Sequence, residues 1–209
     1  MIWKYTLTTE AALPRPDKSD DRRRELLPLI AEAFSELGYR RATTAKLAAR
    51  CGVQENILYR LWPDKKSMFV AAIDFLFSRR MEKWRSALDK LSPTDSRISR
   101  LIELTGSNLG EQGLYRIIFA ALNETDDLEV KRAMQGLYRR YHESVMLEVS
   151  RHREQGPVRD VATDDETAWA LIALVAFMNI VLDLELLGPR KRQQLFTTLA
   201  QFLLDGRPR

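Results

Sequence analysis

Apolar residues return at three- and four-residue spacing along most of this chain. From Asp20 onward, Leu26, Leu27, Ile30, Ala33, Phe34 and Leu37 share one helical face. Gly38 is placed to close that helix as a C-cap. Pro28 interrupts it: either the helix starts near Leu27 with Pro28 in its first turn, or a longer helix is kinked there. Thr43-Thr44 is a natural N-cap for a short helix to about Arg50, Gly52 breaks it, and a second short helix runs from about Gln54 to Leu61. Asp64 caps the next, over 65–89. Further helices are expected over 95–109, 113–124, 127–155, 164–187 and 190–204. They part at Ser92-Pro93, Gly110 and Gly113, Thr125-Asp126-Asp127, Gly156-Pro157 and Gly188-Pro189. No β-branched alternation lasts long enough for a strand. Residues 1–19, with Pro14 and Pro16 and no period, read as an irregular arm. The predicted class is all-α: a three-helix head over 20–66 and a larger helical bundle over 67–209.

The segment Thr44 to Leu61 carries the chemistry. Two short helices flank Gly52, which suits a tight left-handed turn, and Ala48 is small enough for the helices to cross closely. Leu47, Cys51, Val53, Leu58 and Leu61 supply the apolar contacts. Gln54, Glu55, Asn56, Tyr59 and Arg60 remain outward, hydrogen-bonding types suited to a major groove. Glu55 is the odd member, repelled by phosphate; it either accepts from a cytosine amino group or stays solvated.

Charge sharpens this reading. Residues 1–66 hold 13 Lys/Arg against 9 Asp/Glu, and residues 67–209 hold 20 of each, so the whole net charge of +4 sits in the N-terminal third. That asymmetry fits a polyanion or a solvated basic face. One cysteine excludes an internal disulfide and a cysteine-rich zinc site. The two histidines, His142 and His152, are ten residues apart on one expected helix, roughly 15 Å, too far to share a metal. Cys51 reads as core, and Gly106, Gly110 and Gly113 lack the Lys-Ser/Thr ending of a phosphate loop. Asn123-Glu124-Thr125 fits a glycosylation acceptor by chance. No nucleophile–base set stands out, so no enzyme, cofactor or metal is expected. The start carries no signal-peptide pattern, and the longest apolar run, Ala168 to Leu182, is 15 residues and contains Asn179. A membrane span takes roughly 18 or more, so a cytoplasmic chain without a membrane partner is expected.

Gly38-Tyr39, Thr43-Thr44, Leu47-Ala48, Cys51-Gly52-Val53, Leu58-Tyr59, Trp62-Pro63, Lys65 and Met68-Phe69 resemble, over about residues 22–70, the N-terminal domain of tetracycline-repressor-type (TetR family) regulators. The resemblance implies a dimer that binds operator DNA through its heads and a small effector in its body. It implies a phosphate contact at Thr43 or Thr44, backbone contacts at Tyr59 and Lys65, and base or phosphate contacts at Gln54, Glu55, Asn56 and Arg60; basic Lys46 beside them is a further DNA-binding candidate. Members often carry a small residue where Asn56 stands and His where Leu61 stands, so the operator is expected to differ.

In the body, 168–182 is apolar on nearly every face and needs cover on all sides. One stripe, Ala168, Ile172, Val175, Asn179 and Leu182, is expected at a homodimer interface beside Leu195, Leu199, Phe202 and Leu203 of the last helix; a central helix in a monomer is the alternative. Trp84, Asn108, Tyr115, Phe119, Asn123, Tyr138, Tyr141 and Phe177 are the candidate effector-pocket residues, an apolar wall with a few polar groups, although aromatic residues at this spacing also make plain core. The expected function is a sequence-specific DNA-binding regulator, a repressor released by a small molecule, with double-stranded operator DNA and itself as partners. The alternative is a helical sensor or interaction protein whose head lacks specific DNA binding.

Overall fold

The structure is a computed structural model that describes residues 18–92, 95–109, 113–155 and 162–206. Among these it has nine helices and no strand: α1 (Lys18–Arg41), α2 (Thr44–Cys51), α3 (Glu55–Leu61), α4 (Lys65–Leu88), α5 (Arg97–Ser107), α6 (Leu114–Leu122), α7 (Leu128–Glu154), α8 (Asp164–Asp183) and α9 (Pro189–Asp205). The arm expected over 1–19 lies outside the described residues except for its last two positions, which already belong to α1. The breaks expected at Pro93, Gly110 and Gly156-Pro157 also lie outside them.

Pro28 sits inside α1, so the longer helix is the one that forms. Gly38 interrupts it at φ 71°, ψ 167°, and one further helical turn follows before Arg41. Side chains set the other boundaries. Thr43 caps α2, and Asp64 caps α4 by accepting from the Ser67 N–H at 2.7 Å. Asp127 caps α7 through the N–H groups of Glu129 and Val130. Thr163 and Glu166 form a reciprocal capping box on α8.

α1, α2 and α3 make the head. α1 also packs along α4 and α6, so head and body share a helix. α4 is the common axis: Met68, Phe69, Ala72, Ile73, Leu76, Phe77, Trp84 and Leu88 are buried along it. At its head end Phe69 meets the Phe34 ring edge-on at 4.9 Å and Tyr39 at 4.8 Å. The body adds α5 to α9, with α8 between α7 and α9 and α9 against α5. At the last contact Gly106 leaves no room: a Cβ there would stand 2.9 Å from the Phe196 ring. α8 is long and apolar enough by composition to cross a membrane. Here it lays Leu171, Ile172, Val175 and Met178 into the core instead.

Two ion-pair groups tie the head to the α6–α7 turn. Arg40 meets Glu124 at 2.9 Å, and the Lys66 ammonium meets Asp127 at 3.1 Å and Glu129 at 3.0 Å. These carboxylates raise the Lys66 pKa, and Lys66 in turn lowers that of Asp127.

The Asp64 cap yields a prediction. The Ser67 backbone N–H, then its hydroxyl, holds the Asp64 carboxyl below its ordinary value. Its contribution is therefore present above the unfolded carboxyl pKa and is lost as pH falls through the folded one. Asp64→Ala should cost about 1 kcal/mol at neutral pH. In urea melts the gap to wild type should close as pH is lowered through the acid range; a pH-independent gap refutes the assignment.

Candidate nucleic-acid interface and effector site

Gly52 lies at φ 63°, ψ 31°, the left-handed region that glycine enters without a Cβ penalty. Its N–H donates to the Ala49 carbonyl at 3.2 Å and the Val53 N–H to that of Ala48 at 3.0 Å, the paired bonds of a Schellman closure. Buried Ala48 and Leu47 receive Leu58 and Leu61 from α3. Cys51 is half-buried, its thiol pKa pushed up by burial, consistent with packing.

This packing turns Gln54, Glu55, Asn56, Tyr59 and Arg60 to solvent. The Thr44 hydroxyl lies 3.0 Å from that of Tyr59, joining the start of α2 to the middle of α3 in one polar surface. Thr43 accepts the Lys46 N–H at 3.3 Å, and the exposed Lys46 ammonium rests 3.2 Å from the Arg41 carbonyl. Lys65 is placed differently. It is half-buried, donates to the Tyr39 carbonyl at 3.1 Å and stands 4.2 Å over the Tyr39 ring. It braces the α1–α4 junction. Sequence reasoning missed a basic neighbour of α3: Lys18 and Arg22 of α1 line, with Arg60, a cleft of about 490 Å³. The signal in the sequence was the charge run that opens α1, Lys18 to Arg24.

In the body the expected pocket residues divide. Trp84 and Tyr141 touch at 5.3 Å between centroids, Tyr115 and Phe119 at 6.4 Å, and Tyr138 is half-buried. Trp84 and Tyr141 line an apolar void of about 30 Å³ closed by α5, α8 and α9. Three others lie elsewhere. Asn108 ends α5, its amide on the Leu104 carbonyl at 2.6 Å and its oxygen accepting from Lys83 at 3.1 Å. Asn123 ends α6 in solvent, bonded back to the Phe119 carbonyl at 3.1 Å. An asparagine after a helix serves the chain's own unpaired carbonyls. Phe177 is 55% exposed on the outer face of α8.

The expected interface stripe needs a correction on α8. Ala168, Ile172, Val175 and Asn179 are buried by their own protomer, Ile172 at 4% exposure and Asn179 at 2%. Asn179 also donates to the Val175 carbonyl at 2.8 Å. The outward apolar row is Trp169, Phe177, Ile180 and Leu184. An all-apolar helix has two plausible stripes, and periodicity does not say which one meets its own core. On α9, Leu195, Leu199 and Phe202 do face outward.

An all-α chain whose head presents a polar helix across a glycine turn, on a larger helical body, belongs to the class of helix-turn-helix DNA-binding regulators. The family described as bacterial regulatory proteins, tetR family, matches residues 26–72. The nucleoid occlusion factor SlmA of Cronobacter sakazakii is 35% identical over 164 residues, 75% of this chain and 79% of that protein. Its namesake in Photobacterium profundum is 37% identical over 89 residues, 42% of this chain and 45% of that one. A transcriptional regulator from Saccharomonospora viridis, in complex with choline, superposes with TM-score 0.76 at 19% identity, covering 88% of this chain and 96% of that one. The regulator FadR of Bacillus subtilis, in complex with stearoyl-CoA, gives 0.71 at 13% identity, over 88% and 98%. The chain belongs to the TetR family.

The two lysines of the head should behave differently. Lys65→Ala removes a cation over a ring and a hydrogen bond, and should lower unfolding stability by about 1 kcal/mol. Lys46→Ala should leave it within about 0.5 kcal/mol. Equal effects in urea titrations refute the brace.

Proposed function

We propose that this chain is a sequence-specific transcriptional regulator, a repressor that a small molecule releases from its operator. The observation that carries this reading is the outward face of α3, where five polar side chains stand clear of a packed core. Residues 20–66 form the DNA-binding unit and residues 67–209 the effector-binding and dimerisation unit, with α4 reaching from one into the other. Gln54 and Asn56 offer amides that pair with adenine, Arg60 serves guanine or a phosphate, and Glu55 accepts from cytosine. Thr43, Thr44, Lys46 and Tyr59, together with Lys18 and Arg22 beside Arg60, take the backbone; Lys65 contributes from its brace.

The outward rows of α8 and α9 pair with those of a second copy, which sets two heads on a two-fold axis. The operator is then roughly palindromic, with half-site centres roughly 34–36 Å apart. A ligand in the body favours a conformer whose heads are wrongly spaced, and DNA affinity falls. Two proteins of this fold have been solved with small molecules, choline and stearoyl-CoA, which supports a ligand site in the body. The protein works in the cytoplasm and needs no cofactor.

A second reading has its own support. The relatives matched over most of the chain are nucleoid occlusion factors, and the same head then marks many chromosomal sites instead of a few promoters. Mapping bound sites across the genome separates the two: a few sites beside genes for regulation, a broad array for occlusion.

Two outcomes are expected. Selection from a random DNA pool should give a palindromic motif for the wild type. Gln54→Ala and Asn56→Ala should each lose about 1–3 kcal/mol at one base position; identical motifs at identical stringency refute base reading by these amides. Phe177→Glu should convert a dimer to monomers in sedimentation, whereas Ile172→Glu should destabilise the fold itself. A wild-type monomer at micromolar concentration refutes the pairing.

A further inference from the structure

α3 is the shortest helix of the head and the least secured by its own sequence. It has 7 residues, Glu55–Leu61, about two turns, and a helix of that length does not stand alone in water. α2 and α4 each begin on a side-chain cap, Thr43 and Asp64, but Gln54 at the start of α3 makes no capping bond through its side chain. At the other end Pro63 has no N–H with which to continue the helix. The buried side chains Leu58 and Leu61 seat α3 on the core, and the Gly52 turn fixes where it starts. Leu58 and Leu61 lie three apart on one line along the helix, so α3 can still rock about them.

A long-range bond restrains that motion. The Nε of Arg23, in the second turn of α1, donates to the Leu61 carbonyl at 2.8 Å, 38 residues away along the chain. Leu61 is the last residue of α3, so its carbonyl is one of those a helix leaves without an internal partner. The Leu58 carbonyl is served by the Trp62 N–H at 2.8 Å; that of Leu61 is served by Arg23. A guanidinium in this place also faces the negative end of the helix dipole. Asp20, one turn back on α1, accepts from the Arg23 Nη1 at 2.7 Å and holds the plane of the group. The arginines on either side pair within α1, Arg22 with Glu25 and Arg24 with Asp21. Arg23 is half-buried and reaches across to α3.

We propose that Arg23 is a positioning residue for DNA reading: by holding the Leu61 carbonyl against α1, with Asp20 orienting its guanidinium, it sets the tilt at which α3 enters the groove. This rests on the DNA-binding reading above and deepens it with a residue that touches neither base nor phosphate. Hydrogen bonds to base edges need their side chains held within about 0.5 Å of the right place. Contacts from flexible cations to phosphate fix no sequence and tolerate more. Arg60 stands next to Leu61, at the end of α3 that Arg23 holds, so rocking displaces it most. Loss of Arg23 therefore blurs base discrimination before it weakens sequence-independent binding.

The test compares the affinity of the full chain for a duplex carrying its selected motif and for a scrambled duplex, by fluorescence anisotropy over a salt series. Arg23→Met keeps the apolar stem and removes the donor. It should melt cooperatively and lower the ratio of the two affinities about tenfold, the worth of one base contact, with the scrambled-duplex affinity and its salt slope unchanged. Arg23→Lys, which restores a donor, should recover most of the ratio. Asp20→Ala, at an exposed position, should shift the ratio the same way by less, and it carries the test if Arg23→Met does not melt cooperatively. An unchanged ratio in the variant that carries the test, or Arg23→Lys no better than Arg23→Met, overturns the assignment. Equal losses on both duplexes, with a salt slope shallower by about one, make Arg23 a phosphate contact and overturn it as well. Hydrogen exchange in the free chain separates this from the DNA reading itself. If the wild type prefers neither duplex, the DNA reading falls. Faster exchange of the α3 amides in Arg23→Met, with those of α2 unchanged, then still supports the tie, and unchanged α3 exchange overturns it.

Discussion

The Phe69 side chain holds the architecture together. It closes the aromatic cluster with Phe34 and Tyr39 that fixes α1 on α4, and it belongs to the same helix that carries Trp84 into the body. α1 repeats the arrangement from the other side by packing on α2, α4 and α6. Head and body therefore lack a flexible joint, and the orientation of α3 depends on how α1 and α4 sit against the bundle. Close-packed interfaces of this kind respond to strain by switching between discrete arrangements, not by bending.

Charge is used in two ways. At the periphery, Arg40–Glu124 and the Lys66 pairs with Asp127 and Glu129 span the head and the α6–α7 turn. Each keeps one partner in solvent, and they contribute orientation more than stability. In the interior, Glu148 shows how a buried ion is accommodated, with guanidinium groups on both sides.

The head was legible because its constraints are local. A small residue, a glycine and apolar positions at fixed spacing leave one arrangement of α2 and α3, and the caps were readable, as Asp64 alone and as the pair Thr43-Thr44, of which Thr43 is the cap. The body was legible in its number of helices but not in their facing. α8 is apolar all round, so Ile172 and Phe177 are indistinguishable by type, and only tertiary packing sends one inward and the other outward. Asn108 and Asn123 looked like pocket groups because a helix-ending amide and a ligand-binding amide have the same composition. The position of Lys65 over the Tyr39 ring was likewise not written in its spacing.

The contact between Gly106 and Phe196 bears on how this protein diversifies. The exposed residues Leu195, Leu199 and Phe202 of α9 can be exchanged one at a time while the helix stays where it is. Position 106 has no such latitude: even the smallest side chain would press on the Phe196 ring of α9. Exchanges in the outward row leave the core packing as it is, whereas a change at this one glycine is felt at once where α5 meets α9.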